Sequence, residues 1–128
     1  MVTNAVKPGE KISRESDDGE RGVPVARMVE DVVGCKWSLH VLAQIRSGVN
    51  RPGALAKTDP KLTTKVLNER LAKMVAFGIL RKVSYPEVPP RVEYELTAFG
   101  RRFAGVLDSI EQLQRDLAHG HLADAGGD

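Results

Sequence analysis

The side chains able to do covalent chemistry are few: one cysteine, Cys35, and three histidines, His40, His119 and His121. Cys35 and His40 lie five residues apart and invite comparison with a nucleophile and its base, but no third group stands ready to orient the imidazole. No pair of cysteines or histidines has the spacing of a structural zinc site, and no glycine-rich loop is present to cradle a phosphate. The expectation is therefore no enzyme, no cofactor and no metal. A different chemistry is better represented. Thr63, Thr64, Lys65, Asn68 and Glu69 bring hydroxyl, amide and charge together, and Arg51 and Arg91 flank them at a distance along the chain. Groups of this kind hydrogen-bond base edges and neutralise phosphates.

The charge distribution supports that chemistry. Residues 36–102 hold thirteen Lys/Arg against five Asp/Glu, a net +8, whereas residues 1–35 carry −2 and residues 103–128 carry −4. A basic middle between acidic ends suits a polyanion, because neutralising phosphates releases their counterions. The plainer alternative is a solvated charged surface. At 128 residues, 41% hydrophobic and 28% charged, the chain is one ordinary domain, with no apolar run long enough to span a membrane. A lone cysteine and the lack of an export signal fit a cytoplasmic protein.

The elements that must position these groups follow from periodicity. Residues 1–21 are polar and predicted to be a mobile arm, 22–118 form the domain, and 119–128 are a frayed tail. Pro24 opens a first helix, VARMVEDVV, with Val25, Met28, Val29 and Val32 on one face. Gly34 breaks it, and KWSLHVLAQIRSG makes a second helix closed by Gly48. A short third helix is predicted around Ala54 to Lys57. In TTKVLNERLAKMVAFGIL, Leu67, Leu71 and Met74 form a stripe, Thr63 is placed to cap the start, and Gly78 suits a left-handed end. Thr64, Lys65, Asn68, Glu69 and Lys73 fall on the opposite face.

Leu80 to Tyr85 and Arg91 to Leu96 read as a hairpin around a loop stiffened by Pro86, Pro89 and Pro90, with Arg91 at its exit. Glu87 at the tip would repel phosphate, which moves the expected contact to Arg91. Thr97 caps a last helix, about 98–118, in which Phe99, Phe103, Val106, Ile110, Leu113 and Leu117 recur at spacings of four and three. That seam predicts a homodimer interface. The order is that of an α+β, mainly α, winged helix-turn-helix with a β-hairpin wing and a C-terminal dimerisation helix.

PVARMVEDVVGCKWSLHVLAQI, LTTKVLNERLAKMVAFGIL and SYPEVPPRVEYELTAFG, with GxKW at Gly34 to Trp37, closely resemble the HxlR-type regulators, which are similar to the MarR type. The resemblance covers about residues 23–115. It implies a cytoplasmic homodimer that binds double-stranded DNA at a dyad-symmetric operator and responds to a small-molecule effector or a stress signal. It aligns Thr64, Lys65 and Asn68 with the recognition-helix surface and Arg91 with the basic residue of the wing. Repression is the expected sense, since so small a dimer has no separate domain for contacting polymerase. The alternative is a winged helix used for protein contact without sequence-specific DNA binding.

Two departures qualify the resemblance. Val23 stands where many members have a switch cysteine, so that switch does not carry over, and Pro52 replaces a usual aromatic residue. Cys35 beside Lys36 is read as a packed small thiol near Trp37, with an effector or redox site at Cys35 and Trp37 as the second reading. An effector pocket is expected between the Trp37 helix and the C-terminal helices.

Overall fold

Proline and glycine punctuate the helices. The computed structural model describes residues 22–120 and the backbone of Ile12 and Ser13. Its elements are β1 (Ile12–Ser13), α1 (Val25–Val33), α2 (Lys36–Arg46), α3 (Pro52–Ala56), α4 (Thr64–Ala76), β2 (Leu80–Tyr85), β3 (Arg91–Leu96) and α5 (Ala98–Ala118). The predicted winged helix-turn-helix order is present. Pro24 is the N-cap of α1 and Pro52 occupies the first turn of α3, where its missing N–H costs nothing. Gly34 ends α1 in right-handed geometry, so close approach calls for glycine there: a Cβ would lie 2.7 Å from the Glu30 carbonyl oxygen.

The ends of α4 are built from the signals in its sequence. Thr63 accepts a hydrogen bond from the Val66 N–H at 3.2 Å. At the other end Gly78 has φ 80°, its N–H reaches the Val75 carbonyl, and the Ile79 N–H reaches the Met74 carbonyl, both at 2.9 Å. This is the Schellman arrangement, which satisfies the helix's last carbonyls. Leu67, Leu71 and Met74 enter a core shared with Val32, Val41, Leu55 and Phe103.

The hairpin pairs Leu80 with Leu96 through to Tyr85 with Arg91, leaving the five residues 86–90 as the wing loop; the Val88–Pro89 peptide is cis. The backbone of Ile12 and Ser13 pairs antiparallel with Ser84 and Val83, so the sheet order is β1-β2-β3. The sequence reading placed these two residues in a mobile arm and marked no strand. The free edge of β2 offers backbone groups that any chain can pair with, and such pairing leaves no side-chain period to read. The rest of the predicted arm and the tail from residue 121 lie outside the described residues.

Thr97, fully buried, joins α4 to α5: its hydroxyl donates to the Gly78 carbonyl and accepts from the Gly100 N–H at 2.8 Å, while its own N–H reaches the Ile79 carbonyl at 3.1 Å. α5 is about 31 Å long at 1.5 Å per residue. Its first half packs on the domain through Gly100, Phe103, Ala104 and Leu107, and its second half projects. The predicted seam is therefore divided. Val106, Ile110, Leu113 and Leu117 are exposed and Phe99 is half-buried, but Phe103 is 1% exposed and belongs to the domain's own core. The heptad spacing places Phe103 correctly on the helix, but the domain beneath has already taken that turn.

Candidate nucleic-acid interface

Three pieces of structure bring the candidate residues together to different degrees. The outer face of α4 presents Thr64, Lys65, Asn68 and Glu69, all exposed. None of these four side chains makes a hydrogen bond or ion pair with another described residue. Thr63 is exposed too, but its oxygen is engaged in the cap. The inward stripe of the same helix and its two caps hold this face rigid, which is what a helix entering a major groove requires. Lys57 and Lys61, which the sequence reading did not single out, are also exposed, at the end of α3 and just ahead of α4. Their only signal was their membership of the basic block.

The wing departs from its expected role of holding an arginine out to solvent. The Arg91 guanidinium lies 3.8 Å over the Tyr85 ring, 3.1 Å from the Glu87 carboxylate and 3.8 Å from that of Glu93, and the side chain is 28% exposed. Arg51, from the start of α3, reaches the same Glu93 at 3.5 Å. Glu93 also accepts from the Tyr85 hydroxyl at 3.3 Å. The structure thus brings Arg51 and Arg91, forty residues apart, to one carboxylate. Asn50 helps to place them, since its carbonyl accepts the Tyr94 N–H at 2.9 Å and ties the α2–α3 loop to β3. At the apex Val88 is fully exposed.

Cys35 is the N-cap residue of α2 and is half-buried. Burial pushes its thiol up, but hydrogen bonds from the Ser38 N–H and hydroxyl and from the Trp37 N–H, with the Arg70 charge, bring it below the ordinary value. His40 does not act as its base: Nε2 lies 2.7 Å from the Thr58 hydroxyl, which itself donates to the Leu55 carbonyl, so Nε2 is the donor. The imidazole pins α2 to the end of α3. Trp37 stacks edge-on to His40 at 5.5 Å, with the Lys36 ammonium 4.9 Å from its ring centre.

A cleft of about 460 Å³ lies between α2 and α5, with Leu39, Leu42, Ala43 and Leu107 in its wall but neither Cys35 nor Trp37. Arg46 and Asp108 also line it and join in a two-point ion pair at 2.9 and 2.8 Å. That contact holds the Asp108 carboxyl below its usual range. Among the described residues no group of three or more His, Cys, Asp or Glu is placed to hold a metal, and no helix is long and apolar enough to cross a membrane.

The chain is similar to known proteins. A family model described as HxlR-like helix-turn-helix matches residues 32–121. The HTH-type transcriptional regulator sll1512 of Synechocystis is 41% identical over 93 residues, which is 73% of this chain and 68% of that protein. The HTH-type transcriptional regulator YtcD of Bacillus subtilis is 36% identical over 80 residues, 62% of this chain and 64% of YtcD, a little under two thirds of its length. Among solved structures, a transcriptional regulator of the MarR family from Enterococcus faecalis V583 matches with a TM-score of 0.68 at 29% identity, covering 75% of this chain and 87% of that one.

Proposed function

The chain belongs to the HxlR-like helix-turn-helix family of transcriptional regulators, and on that premise we propose that it binds a dyad-symmetric DNA operator as a homodimer and represses the genes beside it. The observation that carries this reading is the outer face of α4, where Thr64, Lys65, Asn68 and Glu69 stand exposed and uncommitted within a block of net charge +8. Side chains of these types read the major groove through its donors and acceptors. The exposed face of α5, with Val106, Ile110, Leu113 and Leu117, supports the dimer. Two α4 helices related by a dyad would then meet half-sites about 34 to 36 Å apart.

Release would be a population shift. An apolar effector entering the α2–α5 cleft, or modification of the Cys35 thiol, favours whichever dimer it fits better, and the DNA affinity changes by that difference. The experiment is selection from a random duplex library followed by titration of the winner across salt concentrations. The expected outcome is an inverted repeat whose log affinity falls linearly with log salt, with a slope near −0.9 per phosphate contacted. No preference for any sequence over random duplex, at any salt, would overturn the proposal and leave the protein-contact reading.

A further inference from the structure

Two arginines and a carboxylate meet in a groove that α4 does not explain. Arg51, Pro52, Glu87, Pro90 and Arg91 line a groove of about 520 Å³ between the start of α3 and the wing loop. The two glutamates nearby are not equivalent. Glu93 holds Arg51, Arg91 and the Tyr85 hydroxyl, and its side chain is 16% exposed. Among the described residues the Glu87 side chain has one ion pair, to Arg91; it is 38% exposed and sits on the loop. The Arg91 Nε is buried and donates no hydrogen bond to a described residue.

We infer that this groove is a seat for a DNA backbone phosphate and that the Glu87 carboxylate stands in for that phosphate when DNA is absent. The inference rests on the DNA-binding reading above. Carboxylate and phosphate oxygens take the same charge-assisted hydrogen bonds from a guanidinium, so one replaces the other without a new geometry. Glu87 leaves first, because it has the fewest contacts and the most water around it. Glu93 stays and keeps Arg51 and Arg91 a carboxylate apart, while the Tyr85 ring beneath Arg91 keeps the guanidinium in place during the exchange. In the free protein the seat's two positive charges are matched by two negative ones. Departure of Glu87 exposes a net positive charge only where a phosphate is present to meet it, and this holds down binding to DNA that the α4 face does not match.

The test uses the full chain, a random-sequence duplex and four proteins: wild type, Glu87→Gln, Arg91→Met and the double variant. Methionine keeps an aliphatic cover on Tyr85, and melting temperatures of all four keep a folding defect from passing as lost affinity. Glu87→Gln should tighten random-duplex binding about two- to five-fold at low salt, the scale of one exposed ion pair. In the Arg91→Met background the same change should do nothing. Equal tightening in both backgrounds would mean that Glu87 acts by repulsion through space, and no tightening in either would mean that it does not compete; each overturns the inference while duplex binding itself stands. A wild-type protein without salt-dependent duplex binding would instead remove the DNA-binding reading, and this inference with it.

Discussion

The joint between α4 and α5 and the wing are each built around a turn, yet they commit their polar groups in opposite ways. At the joint, Thr97 and the backbone of Gly78, Ile79 and Gly100 satisfy one another within a buried shell. Nothing there is left for a ligand. In the wing the partners are charged side chains at the surface, Arg51 and Arg91 with Glu87 and Glu93, at separations of 3.1 to 3.8 Å. The pair with the more exposed carboxylate, Glu87 with Arg91, is of the kind that is worth little and exchanges readily. The joint holds the outer face of α4 in place, and the wing keeps charge that a partner can claim.

The sharpest way to break the contrast is at Gly100. A Cβ there would fall on the Ile79 carbonyl oxygen and 3.2 Å from Leu96 Cδ2, with backbone and not a flexible side chain in the way. Gly100→Ala should destabilise the domain by about 1 to 3 kcal/mol, the usual cost of overpacking, as measured by urea denaturation. A wild-type midpoint would show that the joint yields, and that its buried hydrogen bonds do not fix the angle between α4 and α5.

The next effect is on affinity and leaves stability alone. Asn68 is exposed on α4 and has no described partner, so Asn68→Ala removes no internal contact and replaces a weaker helix former with a better one. Loss of one base contact should cost about 1 to 3 kcal/mol of discrimination between the selected operator and random duplex, with a melting temperature unchanged or slightly raised. A drop in melting temperature, or an unchanged ratio, would place Asn68 with the structural groups and erase the difference between the two regions.

The same contrast explains what was legible in the sequence. Caps, glycine turns and strand alternation depend on residues within a few positions of each other, and the ends of α4, both hairpin strands and the capping role of Thr97 follow from them. The wing's charge pairing is not local. Glu87 with Arg91 lies within reach of a sequence argument, but Arg51 meets Glu93 across forty-two positions, and only the fold makes them neighbours. Phe103 shows the same limit: periodicity places it on the correct helical face and is silent about which body covers that face. The pairing of Ile12 and Ser13 with β2 is a backbone ladder, for which two residues of sequence carry no periodic signal.

Cys35 falls between the two cases and carries the smallest expected effect. Its thiol is lowered chiefly by local donors, Ser38 and Trp37 at the start of α2, and to a lesser degree by the distant Arg70. The thiolate is the form that reacts, so the rate of alkylation by iodoacetamide should rise with pH through a midpoint below that of the same cysteine in the unfolded chain. Because the folded state favours the thiolate, the associated stability is present above the unfolded thiol's pKa and is lost as pH falls through the folded one. Ser38→Ala removes the hydroxyl donor and keeps the N–H, so the midpoint should move up. Arg70→Gln should move it less. The reverse order would mean that the long-range charge governs this thiol, which would place Cys35 with the wing, among groups whose chemistry only the fold creates.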